Sequence, residues 1–254
     1  MSEIKQWTAD KLDVKVFETR SDMGKNAAHD VSKKIKELLM KKDFINIIFA
    51  AAPSQNEFLA ALSEEEGIDW SRINAFHMDE YVGLNKNAPQ RFGEFLKQRI
   101  FGKVSFNEVY YIDGEADPAQ EGKRYAGLLR QFPADIVCMG IGENTHIAFN
   151  DPYEANFQDP LLVKEVQLHE ASRQQQVNDG CFATIDEVPV SAITLTVPAL
   201  LNAKYIFCMV PGINKAQAVY HTLNDEVNEK YPSTILRNHE NAVLYLDKES
   251  ASML

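Results

Sequence analysis

Short apolar runs alternate with amphipathic stretches along most of this chain. Ala27, Ala28, Val31, Ile35, Leu38 and Leu39 recur at the spacing of one helix face. The isoleucine-rich run 45–50 then reads as a strand. Residues 56–62 read as a helix that stops by Gly67, and 73–78 as the next strand. The alternation continues with a helix over 91–101, a strand over 109–112, a helix over 119–132 and a strand over 135–139. From 150 to 189 the periodicity lapses, and a functional loop or a small insertion beside a site is expected there. Strands are then predicted at 192–196, 205–210 and 242–246, with helical segments at 198–203 and 214–223.

This alternation predicts an α/β fold: a Rossmann-like, mainly parallel sheet with helices on both faces. With no Gly/Ser-rich linker, internal repeat or low-complexity tract, residues 1–254 read as a single domain.

Composition narrows the functional classes. The 254 residues are 45% hydrophobic and 25% charged, as in an ordinary globular chain. Lys plus Arg number 26 against 37 Asp plus Glu, a formal charge of −11. That balance argues against nucleic acid as a partner, because phosphate neutralisation needs clustered cations. No apolar run approaches the length of a membrane span, and the amino-terminal residues lack the apolar core of a signal peptide. Cys138, Cys181 and Cys208 show no paired spacing, and Cys138 and Cys208 lie inside apolar runs. A reducing, cytoplasmic setting is expected. The sequence does not fix the assembly state and is compatible with a homo-oligomer.

Candidate chemistry gathers where two predicted strands end. The first segment is Phe76-His77-Met78-Asp79-Glu80-Tyr81. Strand alternation puts His77 and Asp79 on one face and Met78 and Glu80 on the other. Asp79 then stands at a strand mouth, where a carboxylate serves as a general base if burial or a neighbour adjusts its pKa. The bland alternative is a solvated acidic turn. The second segment runs from Gly140 to Asp151. Gly140 and Gly142 permit a tight turn after a strand, and His146 and Asp151 follow closely enough to pair. Gly140-x-Gly142-x-x-Thr145 imitates a dinucleotide fingerprint but lacks its third glycine and the apolar helix start that should follow, so no nucleotide cofactor is expected.

Two strand-to-helix turns offer anion contacts. Ser54-Gln55-Asn56-Glu57 has the pattern of a capping box, Ser54 as N-cap and Glu57 three residues on. Pro211-Gly212-Ile213-Asn214-Lys215 is a similar turn carrying a lysine. Neither His77 with Asp79 and Glu80 nor His146 with Asp151 has a metal-ligand spacing, so no metal is expected. His29, His169, His221 and His239 have no comparable setting.

Together these segments resemble the glucosamine-6-phosphate deaminase (isomerase) family, whose relative is 6-phosphogluconolactonase. Met78-Asp79-Glu80-Tyr81-Val82-Gly83-Leu84 is similar to the family's MDEYVGL. Gly142-x-x-x-His146-Ile147-Ala148-Phe149-Asn150-Asp151-Pro152 is similar to its GxDGHIAFNEP, and Asn214-Lys215-Ala216 to its phosphate-side lysine turn. The continuation HIAFN favours the deaminase branch. The resemblance implies a small-molecule sugar phosphate as substrate and no redox cofactor. An aminosugar 6-phosphate would become a ketose 6-phosphate plus ammonia. Asp79 would carry a proton between C2 and C1, and His146 would open the sugar ring with help from Asp151 and Asn144. Ser54, Glu80, Arg173 and Lys215 would contact substrate.

Several positions depart from the family pattern. Ala52-Pro53-Ser54 stands where the family has Gly-Gly-Thr, and Pro53 lacks an N–H for phosphate. Asn144 replaces an aspartate, Thr145 a glycine and Asp151 a glutamate. Arg173 is the nearest counterpart of the family's phosphate arginine. The same scaffold admits two other readings, a sugar-phosphate lactonase and a non-catalytic sugar-phosphate sensor.

Overall fold

The computed structural model describes residues 3–254. Its strands are β1 (Glu3–Ala9), β2 (Leu12–Phe17), β3 (Ile45–Phe49), β4 (Ile73–His77), β5 (Asp79–Tyr81), β6 (Glu108–Tyr110), β7 (Ile136–Met139), β8 (Val163–Gln167), β9 (Ser191–Leu195), β10 (Tyr205–Val210) and β11 (Ala242–Asp247). The helices are α1 (Arg20–Leu39), α2 (Asn56–Glu64), α3 (Phe92–Leu96), α4 (Pro118–Gln131), α5 (Glu170–Asn178), α6 (Val197–Leu201) and α7 (Ala216–Asn224). Eight strands form one sheet in the order β1-β2-β11-β10-β7-β3-β4-β6. All neighbours in it are parallel except β1 with β2.

Strand alternation divides the core into two layers. Ile48, Val137, Met139, Ile206, Cys208 and Val210 point to one face, where Tyr125 and Leu129 of α4 and Val219 of α7 cover them. Ile45, Ile47, Phe49, Ile136, Cys138, Phe207 and Met209 point to the other, against α1 and α2. Strands buried on both faces read as continuous apolar runs, as these do. The predicted α/β class, with a mainly parallel sheet and helices on both faces, is the observed one.

The chain order creates a crevice. From β3 the sheet grows outward through β4 and β6. It then returns to β7 on the other side of β3 and grows through β10 and β11. Loops leaving β3 and β7 therefore part in opposite directions, and the hollow between them lies at the carboxyl ends of the strands.

Four sequence expectations change. Two strands not expected from the pattern precede the first helix: β1 is mostly exposed and polar, and β2 is a short run in which buried apolar residues alternate with Asp13 and Lys15. The helix expected at 27–39 starts at Arg20, capped by Thr19, whose side chain accepts from the Asp22 amide. The strand expected at 192–196 lies outside the main sheet. As β9 it pairs antiparallel with β5 and β8 in a three-stranded sheet. Finally, the stretch 150–189 is not an irregular loop throughout, since it contains β8 and α5.

Candidate active site

A cleft of about 500 Å³, counting its open mouth, occupies the crevice. Ala50, Ala51, Ala52, Ser54 and Gln55 after β3, Met78 and Asp79 after β4, Gly140, Ile141, Gly142 and His146 after β7, Gln175 and Gln176 of α5, and Lys215 after β10 all line it. The two predicted strand mouths thus open into one cavity. Asn144 and Asp151 stand behind the imidazole and outside the lining.

Asp79 enters the cleft because the chain changes sheets there. β4 ends at His77, Met78 bridges, and β5 begins at Asp79, so Met78 and Asp79 both face the cavity. Simple strand alternation does not hold across this junction. His77 fastens it: its Nδ1 lies 2.9 Å from the Asp79 carbonyl, and its Nε2 accepts from the Ile112 amide at 2.9 Å. Burial pushes the His77 ring down to about 4, so a neutral imidazole acts as a clamp. Burial, followed by the charge of Glu80, pushes the Asp79 carboxyl up to about 8.

Glu80 was expected to contact substrate, and its position corrects that. Its carboxylate turns into the protein and accepts from the backbone amides of Tyr81 (3.0 Å), Phe92 (3.1 Å) and Gly93 (3.0 Å). Arg91 Nε stands 3.4 Å away. An acid on the first amides of α3 is held by unsatisfied donors and helix dipole alike. Burial raises the Glu80 carboxyl against these contacts.

The His146 loop forms a tight oxygen-lined socket. Asn144 Oδ1 lies 2.7 Å from His146 Nδ1, while Asn144 Nδ2 donates to Asp151 Oδ1 over 2.8 Å. Ser172 Oγ donates to the same Asp151 oxygen and lies 3.1 Å from His146 Nδ1. Asp151 Oδ1 itself is 3.3 Å from that nitrogen. Burial works against the Asp151 charge, yet His146, Ser172 and Asn144 hold its carboxyl well below the usual range. With only oxygens before it, Nδ1 carries the proton, which leaves Nε2 as the lone-pair nitrogen. The loop holds Thr145 at φ 73° and Ala148 at φ 47°. A β-branched residue in that region stores strain where the family pattern has glycine.

Ser54 is not the N-cap expected for α2. It lies within a 3-10 turn, Pro53–Gln55, and α2 begins behind Gln55 without a side-chain cap. Glu57 pairs instead with Arg20 at 2.8 Å. The Ser54 hydroxyl accepts from Gln55 Nε2 at 3.1 Å and faces the cleft. Lys215 leaves β10 through a matching 3-10 turn, Ile213–Lys215, and is 7% exposed. Burial lowers its ammonium, and Asp179 and Glu143 oppose that effect. Arg173 does not reach the cleft, because its guanidinium donates to the carbonyls of Ile185 (2.6 Å) and Val188 (3.0 Å). Among the residues lining the cleft, Lys215 is the cationic side chain.

Sequence reasoning missed Ser172, Gln175, Gln176 and Gln55. The first three share one buried face of α5 at i, i+3, i+4 spacing. Gln175 Oε1 accepts from the Glu143 amide at 2.9 Å, so α5 also braces the His146 loop.

Residues 18–245 match the family model described as glucosamine-6-phosphate isomerases/6-phosphogluconolactonase. The chain belongs to this family. A glucosamine-6-phosphate deaminase of Listeria innocua serovar 6a is 34% identical over 227 residues, covering 88% of this chain and 95% of the relative. One from an Exiguobacterium species is 31% identical over 242 residues, covering 95% and 91%. Among solved structures, a monomeric glucosamine-6-phosphate deaminase superposes with a TM-score of 0.86 at 27% identity, covering 95% of this chain and 99% of its own. The 6-phosphogluconolactonase of Thermotoga maritima shares the fold, with a TM-score of 0.76 at 20% identity over 92% and 99% of the two chains. The glucosamine-6-phosphate isomerase/6-phosphogluconolactonase family thus accounts for the architecture. No helix among the described residues is long and apolar enough to cross a membrane.

Proposed function

We propose that this protein is a deaminating isomerase, converting an aminosugar 6-phosphate of the glucosamine-6-phosphate kind to the ketose 6-phosphate and ammonia. The observation that carries the reading is Asp79, a carboxyl raised to about 8 by burial, sharing one cleft with an imidazole whose Nε2 is a free acceptor. A lactonase makes no use of a base at C2, whereas an isomerase requires one.

The residues divide the work by position. His146 Nε2 takes the proton of the O1 hydroxyl and returns it to the ring oxygen as the C1–O5 bond breaks, exposing the aldehyde. Asp79 removes the C2 proton, and the electron pair moves through C2–C1 to the carbonyl oxygen. That oxygen takes a proton from the substrate's own C2 ammonium group, giving a neutral enolamine. Returning the proton held by Asp79 to C1 leaves an imine at C2. Water adds to the imine and ammonia departs, so one water is consumed for each ammonia released. A carboxyl with a pKa near the working pH is suited to both directions of this transfer. Asp151 and Asn144 hold the imidazole from behind. Lys215 and the Ser54 hydroxyl receive the phosphate end, with Gln176 beside them. Three free cysteines, two of them buried, suit a cytoplasmic enzyme.

The test is release of ammonia and ketose 6-phosphate from glucosamine 6-phosphate. Asp79→Asn is expected to remove about 100-fold or more of that turnover at unchanged fold. Hydrolysis of a sugar-phosphate lactone that survives Asp79→Asn, with no ammonia released by the parent protein, would replace this reading with a lactonase.

A further inference from the structure

We infer that Ser172 is a positioning residue for His146, a hydroxyl wedge that joins the shortened acid Asp151 to the imidazole and fixes which ring nitrogen carries the proton. In its kinetic arm the inference rests on the deaminase/isomerase reading; its spectroscopic arm does not.

Two family departures leave a gap behind the imidazole. Asp151 stands where the family pattern has a longer acid, and its Oδ1 stops 3.3 Å short of His146 Nδ1. Asn144 stands where the pattern has a carboxylate, so it supplies an acceptor without charge. Ser172 closes the gap. It is 1% exposed, its hydroxyl proton goes to Asp151 Oδ1, and its oxygen lies 3.1 Å from His146 Nδ1.

The direction of each bond follows from the donors present. An ionised carboxylate only accepts, so the single Ser172 proton is committed to Asp151. The remaining Ser172 lone pairs then face Nδ1, and so does Asn144 Oδ1, because the Asn144 amide nitrogen is committed to the same Asp151 oxygen at 2.8 Å. Asp151 therefore sets the polarity of two neighbours at once, and both present oxygen to Nδ1. Without Ser172, the acid has one donor fewer. Nδ1 keeps Asn144 Oδ1, on a side chain that can rotate, and the longer 3.3 Å contact to Asp151 Oδ1, with no hydroxyl left to bridge the two. The ring is then free to place its proton on Nε2, where it no longer serves as a base.

The helix delivers this hydroxyl deliberately. Ser172 occupies the first turn of α5, and Gln175 on the same face binds the Glu143 amide in the His146 loop at 2.9 Å. The wedge is thus registered against the loop it supports.

The experiment compares the parent protein with Ser172→Ala, Ser172→Thr and Ser172→Cys. Turnover of glucosamine 6-phosphate is measured beside 15N-histidine spectra, in which the His146 signals are assigned by their loss in His146→Gln. The parent is expected to show the neutral ring protonated at Nδ1. Ser172→Ala should lose about tenfold or more in kcat with KM within about twofold, as removal of a supporting hydrogen-bond partner does, and its ring should show mixed tautomers. Ser172→Thr, which keeps the hydroxyl, should restore both. Should the alanine variant fail to fold, Ser172→Cys, a near-isostere with a weak donor, carries the same comparison. Unchanged kcat overturns the inference, and so does lost turnover with an unchanged Nδ1–H tautomer, which marks Ser172 as packing alone. If the parent releases no ammonia, the functional reading fails while the tautomer comparison still decides the role of Ser172.

Discussion

The imidazole of His146 lies flat on the α-carbon of Gly142. A Cβ at Gly142 would stand 2.1 Å from His146 Cε1 and 2.3 Å from both ring nitrogens. Gly142 also accepts the Thr145 amide and donates to the His146 carbonyl at 2.8 Å, so the loop folds back on itself around this bare position. Gly142→Ala therefore expels the ring from its socket. Turnover should fall by about 100-fold, the effect of a misplacement near 1 Å. Substrate titration by calorimetry is expected to show binding retained, because Lys215 and Ser54 stand on other loops.

Asp79 ties activity to pH and sets it against stability. The carboxylate is the basic form, so kcat/KM should rise with pH and level off above about 8, the value to which burial lifts the group. Stability runs the other way. A folded-state pKa raised from 3.8 to about 8 means that the folded protein binds more protons between those values. Stability then falls as pH rises through that window, and the penalty is complete above it. Asp79→Asn removes the titration. Its urea midpoint should exceed that of the parent at pH 9, and the difference should vanish toward pH 4.

Glu80 tunes Asp79 from the interior. Burial is the larger cause of the raised Asp79 carboxyl, and the Glu80 charge adds to it. Glu80→Gln removes that charge and keeps an oxygen for the Phe92 and Tyr81 amides. The acidic limb of the kcat/KM profile is expected to move to lower pH. A limb that stays in place would show burial acting alone.

Lys215 is the cationic side chain of the cleft wall, so the anionic end of the substrate should depend on it. Lys215→Gln is expected to raise KM for a phosphorylated aminosugar by about tenfold or more, the usual loss for a charge-assisted bond, with a smaller change in kcat. Inhibition by inorganic phosphate should weaken in parallel. Equal inhibition of parent and variant by phosphate would place the anion elsewhere.

Much of this was legible in the chain alone. Apolar runs at 45–50, 135–139 and 205–210 became three neighbouring central strands because a strand buried on both faces needs apolar side chains on both. Met78 to Leu84 and Gly142 to Pro152 carry the family resemblance, and Asp79 and His146 do share a cleft. Side-chain direction was less accessible. Glu80 and Arg173 have the composition of substrate contacts, yet both spend their charge on the backbone of their own surroundings.

The sequence by itself determined the alternation of elements, and with it the sheet, its crevice and the two loops that open there, since periodicity and turn residues are local properties. Tertiary structure alone decided what closes the crevice. Helix α5 buries Ser172, Gln175 and Gln176, a polar face that no hydrophobic pattern reveals, because it covers a site and not the core. It decided also that β5 leaves the main sheet at Met78, which turns Asp79 into the cleft and Glu80 away. A side chain's partner depends on what the fold brings opposite to it, and that is information no single segment contains.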